Sequence, residues 1–220
     1  TNNIVLLNRA TGTNICFMNL SYPALTNGAG GLNMIAAADD GVVYGANVVA
    51  NANSLDGTGN YNLWRWADDV SNTVPVNLFS GDPGYYISPS PQPDPCCPEN
   101  PSLRGARANT QILIAPGYDT NGYGANVILF TTPDGLNFNG EAIAVSGVPS
   151  GFAQFGLAFG PGTNTFWAKT TNAPLYLIQF DLNSQTGAVL YADGVSDGVP
   201  NTFLFPGVNT NQTWLAGMMN

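Results

Sequence analysis

Apolar and polar positions along the chain follow the short period of β-strands. Residues 175–180 (LYLIQF) are mostly aliphatic or aromatic, as expected of a strand that is covered on both faces. Residues 181–187 then supply Asp, Asn, Ser, Thr and Gly, which tolerate turn dihedrals, and residues 188–191 are apolar again. The stretch 175–191 therefore predicts a strand, a turn and a returning strand.

The same unit recurs along the chain. The predicted strands occupy residues 4–8, 15–20, 32–38, 42–47, 61–66, 74–79, 103–106, 111–115, 126–130, 142–145, 155–159, 165–169, 175–180, 188–191, 202–205 and 213–217. If the strands of one unit are labelled a, b, c and d, the chain holds three full units, with a c and d pair before them and an a and b pair after them. A repeated unit usually indicates a repeated fold. The pattern predicts one all-β domain over residues 1–220, a β-propeller with three full four-stranded blades and a split blade formed by the two ends.

Composition agrees with strands joined by tight turns. The chain has 26 Gly and 16 Pro, only 9% of its residues are charged, and no stretch shows helical periodicity. Residues 81–101 are so rich in proline that they predict an irregular insert, which carries Cys96 and Cys97. Trp66, Phe130 and Phe180 each end a predicted c strand. We expect these three aromatic side chains to fill the core between neighbouring units.

The charge balance excludes one class of partner and indicates a location. The net charge is −9 and Lys169 is the only lysine, so nucleic acid would be repelled and is not an expected partner. With so few charges, the surface must consist largely of Asn, Thr, Ser, Gln and Gly, which is typical of extracellular or cell-surface proteins. No apolar run approaches about 18 residues and no signal peptide is present, so we expect a processed, soluble chain without membrane insertion.

Several motifs resemble a known kind of domain. They are DDGVVYGAN, LWRWADD, FSGDPG, RGARANTQILIA, LFTTPDGLNF, GLAFGPGTNTFWAK and FDLNSQTG. This succession resembles an uncharacterised family of β-propeller domains in large secreted bacterial proteins, across residues 38–191. The turn after strand c is also similar to that of surface-layer and quinoprotein-type propellers. The resemblance implies the fold and says almost nothing about chemistry.

Candidate catalytic chemistry is sparse. The chain has no histidine, which removes Ser-His-Asp and Cys-His arrangements and the usual zinc and copper ligand sets. Glu99 and Glu141 are the only glutamates, which leaves little for carboxylate-pair chemistry. Asp119 and Asn121 offer hard oxygen ligands on a glycine-rich loop and are weak calcium candidates without a full ligand pattern. We predict a protein that is not an enzyme and needs no cofactor or metal.

Three cysteines leave an odd thiol. A bond between the adjacent Cys96 and Cys97 would be strained, and Cys16 is the only other partner within the chain. Either Cys16 pairs with one of them and the remaining thiol cross-links copies in an oxidising setting, or the thiols include buried free ones. Asn19 and Asn211 begin sequences of the glycosylation pattern, a weak signal in so Asn-rich a chain.

The partial units at the two ends are the main functional clue, because unpaired half-blades expose strand edges. Pairing within one molecule closes a small ring, whereas pairing between molecules builds a head-to-tail fibre. In a third arrangement the residues are a segment of a longer propeller protein. Our leading expectation is a secreted structural or adhesive protein that polymerises with copies of itself through strand complementation and disulfide cross-links. The alternative is a closed module that binds a glycan, such as extracellular polysaccharide, or a small ligand. The expected assembly residues are Ile4, Leu6, Ile15, Phe17, Phe203, Phe205 and Trp214.

Overall fold

The structure is a computed structural model, and the described residues form strands joined by turns. It describes residues 3–22, 32–38, 40–47, 61–81, 102–107, 111–115, 126–149, 151–153, 156–169, 173–194, 201–206 and 213–218. Its strands are β1 (Val5–Leu7), β2 (Asn14–Phe17), β3 (Leu32–Ala37), β4 (Val43–Asn47), β5 (Tyr61–Trp66), β6 (Val76–Gly81), β7 (Ser102–Arg107), β8 (Gln111–Ala115), β9 (Asn126–Thr131), β10 (Asn139–Ser146), β11 (Gly156–Phe159), β12 (Thr165–Lys169), β13 (Tyr176–Asp181), β14 (Thr186–Ala192), β15 (Asn201–Pro206) and β16 (Thr213–Met218). These ranges contain no helix, so none in them is long and apolar enough to span a membrane. The all-β prediction is confirmed.

The first full unit forms a sheet of its own. Strands β3, β4, β5 and β6 pair in sequence order, each antiparallel to the next. Both faces of β5 are buried, because Tyr61 and Leu63 pack with residues of β8 and β9 while Trp64 and Trp66 pack on the other side, with residues near β1 and β2. The four positions that are buried, Tyr61, Leu63, Trp64 and Trp66, are the apolar or aromatic ones, whereas Asn62 and Arg65 are only half-buried.

The second and third units are joined into one sheet, which the sequence did not predict. The order of this eight-stranded sheet is β11-β12-β13-β14-β10-β9-β8-β7. The junction is a short parallel ladder between β10 and β14, in which Val145 pairs with Gly187. Gly187 permits this approach, since a Cβ atom there would lie 3.0 Å from Val145 Cγ2 and 3.1 Å from Ile178 Cγ2. These eight strands therefore do not form two separate four-stranded blades.

The eight-stranded sheet is nearly closed. Its edge strands β7 and β11 lie side by side with Cα atoms within 8 Å. Arg107 at the end of β7 donates to the carbonyl oxygen of Gly160, just beyond β11, at 2.7 Å. Strand β3 is likewise adjacent to β7, and β15 is adjacent to β11. The first strands of successive units therefore lie side by side in space, in the order β3, β7, β11 and β15.

The remaining strands make two small sheets. Strands β1 and β2 pair with each other, as do β15 and β16, and no ladder in the described part of the chain joins the two pairs. A four-bladed propeller is therefore not shown, because the pairs at the two ends stay separate and the middle units share a sheet. The expected packing of Trp66, Phe130 and Phe180 is confirmed, since all three are buried in the core.

Candidate assembly site

The β1–β2 pair is a hairpin closed by a side-chain-capped turn. Val5 lies opposite Phe17 and Leu6 opposite Cys16 in the ladder. Oδ1 of Asn8 accepts hydrogen bonds from the N–H groups of Ala10 (2.9 Å) and Thr11 (3.1 Å). Asx turns of this kind fix the chain reversal without tertiary help. The hairpin is therefore positioned as a unit.

One face of this hairpin is anchored to the β3–β6 sheet. Ile4 and Met18, which flank the two strands, are 5% exposed and pack with Leu32, Val43, Trp64 and Trp66. The indole Nε1 of Trp66 donates to the backbone oxygen of Asn19 at 2.7 Å. This contact satisfies the polar atom of a fully buried tryptophan and ties the exit of β2 to the sheet.

The opposite face of the hairpin is apolar and open to solvent. We call it the hairpin face, and it consists of Val5 (40% exposed), Leu7 (55%), Ile15 (57%) and Phe17 (53%). Val5 and Phe17 face each other in register, and alternation places Leu7 on the side of Val5. Ile15 lies at an irregularity of the ladder, between Asn14 and Cys16, and is assigned to this face by its exposure. A two-stranded sheet with one face unburied is marginal on its own.

The β15–β16 pair lies elsewhere in the molecule. Phe203 pairs with Ala216 and Phe205 with Trp214 in an antiparallel ladder. The predicted assembly residues Phe203, Phe205 and Trp214 therefore lie on adjacent strands, in a region whose side chains the structure does not describe. Strand β15 runs next to β11 and β12. The structure thus groups the predicted assembly residues into two sets, one on each pair, and does not bring the sets together.

A second apolar surface, on which Trp167 and Leu177 are half-buried and Tyr191 is exposed, was not predicted from the sequence. Trp167, Leu177 and Tyr191 lie side by side across β12, β13 and β14. The rings of Trp167 and Tyr191 meet edge to face, with centroids 6.4 Å apart. Tyr191 is 52% exposed and its neighbour Leu190 is 54% exposed. We call this surface the β12–β14 face. The alternation along TFWAK, in which Trp167 follows the buried Phe166, was the sequence pattern that could have indicated it.

The predicted cysteine cross-link is not supported. Cys16 is a half-buried free thiol that lies opposite Leu6 in the β1–β2 ladder. Cys96 and Cys97 lie outside the described residues, as does the rest of the proline-rich insert beyond Gly81.

Of the residues predicted for glycosylation or calcium binding, the structure describes Asn19 alone. Asn19 is half-buried, and its Oδ1 accepts from the N–H of Ser21 at 2.8 Å. Asn211, Asp119 and Asn121 lie outside the described residues. Within the ranges that the structure covers, no group of three or more His, Cys, Asp or Glu side chains could hold a metal.

Two aspartates that close strand-to-strand turns are strongly hydrogen-bonded. Asp134 Oδ1 accepts from the N–H groups of Asn137 (2.8 Å) and Leu136 (2.9 Å), which holds the pKa of this carboxyl well below its usual range. The Thr73 hydroxyl and then the Val70 N–H lower the pKa of Asp68 in the same way. Each of these carboxylates accepts hydrogen bonds within its own turn.

Charge is distributed unevenly around the two exposed faces. Residues 3–22 contain no acidic side chain and carry one exposed arginine, Arg9, although the whole chain has a net charge of −9. Asp181 and Asp193 lie at the two ends of the β13–β14 hairpin. Lys169, on β12, is buried and donates to the backbone oxygen of Ala173, so it adds little positive charge to the surface.

The described strands form an all-β fold, and comparison with known proteins shows a similar fold among solved structures. Neither a family model nor a curated protein matches the sequence. Among solved structures, the chain is similar to the crystal structure of a DUF4623 family protein from Bacteroides eggerthii DSM 20697, with a TM-score of 0.57 and 13% sequence identity. The match covers 95% of this chain and 42% of that one, so the chain spans less than half the length of that protein. At this identity the likeness concerns the fold alone.

This comparison corrects the family resemblance drawn from the motifs. A solved structure similar to this chain is a DUF4623 protein, and the sheets here have two, four and eight strands instead of a repeat of separate blades. The assignment to a secreted bacterial propeller family, and to surface-layer or quinoprotein-type repeats, is therefore wrong. The quoted motifs lie mostly in turns and buried strands, which many all-β proteins share.

Proposed function

We propose that this chain is an extracellular structural module that assembles head to tail with copies of itself. In this arrangement β1 of one copy pairs with β16 of the next, so that two separate two-stranded sheets become one four-stranded sheet. The observation that carries the proposal is that β1–β2 and β15–β16 are separate sheets, each with unpaired outer edges in the described structure. Isolated pairs of strands are marginal in water and their edges recruit partners.

Strand addition of this kind has a defined geometry. The edge offered by one copy differs from the edge it accepts, so the contact is heterologous and can propagate into a filament. The completed sheet is the fourth four-stranded unit that the sequence pattern predicts. A non-enzymatic, secreted role is supported by the absence of histidine and by the weakly charged, Asn-rich composition.

The test removes a single backbone donor from the open edge of β1. The carbonyl oxygen of Ile4 accepts from Met18 N–H at 3.0 Å, so residue 4 faces β2 and the N–H of Val5 points to the outer edge. Val5→Pro deletes that N–H without touching the β1–β2 ladder, and Val5→Ile is the matched control that keeps it. We expect light scattering to show oligomers that grow with concentration for the wild type and V5I, and monomers for V5P.

Two results would reject the proposal. The first is a wild-type protein that stays monomeric at every concentration. The second is a V5P variant that is folded by circular dichroism and assembles as the wild type does. Adding reductant to the wild type separates assembly through strands from assembly through cysteine cross-links.

A further inference from the structure

We infer that the hairpin face of one copy packs on the β12–β14 face of the next copy. This inference rests on the proposed function and deepens it, because it names the surface that receives the β1–β2 hairpin. Strand pairing would join the hairpin to β16 through backbone hydrogen bonds, whereas the contact inferred here would bury its side chains.

The first argument is the distribution of exposed apolar side chains. Eleven large hydrophobic side chains are exposed in the described structure, and five of them lie on these two faces. Four of the five are the hairpin face, and the fifth is Tyr191, which follows Leu190 at an irregularity of the β13–β14 ladder. Contiguous apolar surface on a soluble protein marks an interaction site. Two such faces on one chain allow the face of one copy to pack on the other face of the next copy.

The second argument is the order of strands in space. Strand β15 lies beside β11 and β12. The opposite side of the β11–β14 region is buried against β8, β9 and β10, where Phe166 and Ile178 pack with Leu113 and Leu129. Because that side is occupied, the other side of β11 and β12 is the one open to the β15–β16 pair. A hairpin added beyond β16 would extend over β13 and β14, where Leu177 and Tyr191 lie.

The third argument is charge complementarity. The hairpin brings Arg9 and no acidic residue, whereas the receiving face has Asp181 at one end of β13–β14 and Asp193 at the other. Opposite charges around an apolar centre steer association and fix its register. Two hairpin faces packed on each other would bring no acidic side chain to either Arg9, so the acidic receiving face is the better partner.

The inferred contact would bury both faces of the β1–β2 hairpin. Its inner face already packs on the β3–β6 sheet of its own copy through Ile4, Met18 and Trp66. With the outer face on β12–β14 of a neighbour, the hairpin would be buried between two molecules. Apolar contact on this face would add buried area to the edge ladder, and a stable interface buries roughly 800 Å² per partner.

Single-cysteine cross-linking between copies tests the contact. Cys16, Cys96 and Cys97 are first replaced by serine. In this background Phe17→Cys is made in one preparation and Tyr191→Cys in another. The two preparations are then mixed with a short bismaleimide. We expect a covalent dimer that contains one copy of each variant. Val74→Cys, at a site that is 55% exposed, replaces Tyr191→Cys in the control mixture, which should give no dimer above background.

A charge substitution provides an independent readout. Phe17→Asp and Tyr191→Asp should each raise the concentration at which half of the protein is assembled by about tenfold or more. Val74→Asp, the matched control, should leave that concentration unchanged. Circular dichroism of each variant shows that the change acts on assembly and not on folding.

The outcomes separate this inference from the proposed function. A serine background that assembles but gives no F17C–Y191C dimer, with both aspartate variants assembling normally, overturns the face-to-face contact and leaves strand complementation standing. A background that stays monomeric overturns both. If the double variant F17C/Y191C cross-links within one monomer while the mixture gives no dimer, the two faces meet in the same chain, which also overturns contact between copies.

Discussion

The guanidinium carbon of Arg107 lies 4.5 Å from the centroid of the Phe159 ring, and the same side chain donates to the oxygen of Gly160 at 2.7 Å. These contacts join the two edges of the eight-stranded sheet, β7 and β11. Arg107→Met keeps the aliphatic stem but loses the cation and the donor. We expect it to lower the free energy of unfolding by about 2 kcal/mol in urea titration.

A graded series tests that interpretation. Phe159→Leu removes the ring but keeps the hydrogen bond from Arg107 to Gly160. Apart from the packing that the smaller side chain loses, it should lower the free energy of unfolding by less than R107M does. Arg9→Met, at an exposed arginine, is the control and should change stability little. An R107M protein as stable as the wild type would show that the near closure of the sheet does not depend on this side chain.

Trp66 links the hairpin to the sheet beneath it. Trp66→Phe removes the donor to the Asn19 oxygen and leaves a small void among Ile4, Met18 and Trp64. We expect a loss of about 2 kcal/mol. Hydrogen exchange of the Met18 amide, which donates to Ile4, should accelerate as well. Trp167→Phe at the partly exposed indole is the control, and equal protection of Met18 in all three proteins would contradict the prediction.

Gly187 permits the parallel junction of the large sheet. In Gly187→Ala, the new Cβ would press on Val145 and Ile178, which are buried and branched and have little freedom to move. We expect a destabilisation of about 1–3 kcal/mol despite the better strand propensity of alanine. Gly105→Ala is the matched control, because its Cβ would meet Phe159 no closer than 3.6 Å. Equal midpoints of denaturation for G187A and G105A would refute the argument.

The pH dependence of stability should report the Asp134 turn. Backbone N–H groups lower the pKa of Asp134 in the folded state, so its stabilising effect is present above the unfolded value near about 3.9 and is lost as pH falls towards the folded pKa. Asp134→Asn lacks this charge. The melting temperature of the wild type should exceed that of D134N most at neutral pH, and the gap should narrow between about pH 5 and pH 2.

Asp68→Asn provides a second instance of the same effect. The hydroxyl of Thr73 and the N–H of Val70 lower the pKa of Asp68. The gap between the wild type and D68N should narrow over the same acid range. A gap that stays constant with pH in both variants would show that the carboxylate charge does not stabilise these turns.

Local patterns in the sequence were sufficient to predict the strands. Each predicted strand overlaps an observed one, and the bounds of β5, β8 and β12 agree in full, because alternation and turn residues are properties of a few neighbouring positions. The buried aromatic side chains at the ends of the c strands were predictable for the same reason. Of the assembly residues, Ile15 and Phe17 are on an exposed face and Ile4 is buried, a division that the sequence did not indicate.

Pairing between distant strands was not predictable from the sequence. The parallel ladder of β10 and β14 depends on Gly187, which resembles any turn-flanking glycine in the sequence. The β12–β14 face was not predicted because Trp167 and Tyr191 belong to strands whose sequences predict burial on both faces. The family resemblance failed since its motifs describe turns and strands and contain nothing about how the sheets join.

The parallel junction also has a kinetic consequence. Strands β7 to β10 and β11 to β14 pair with sequence neighbours, so each set can form from fast local hairpins. Ala144 and Thr186, which meet in the junction, are separated by the whole of β11, β12 and β13. Their encounter requires closing a long loop, so we expect this step to come late in refolding and the two halves to unfold together once it is made.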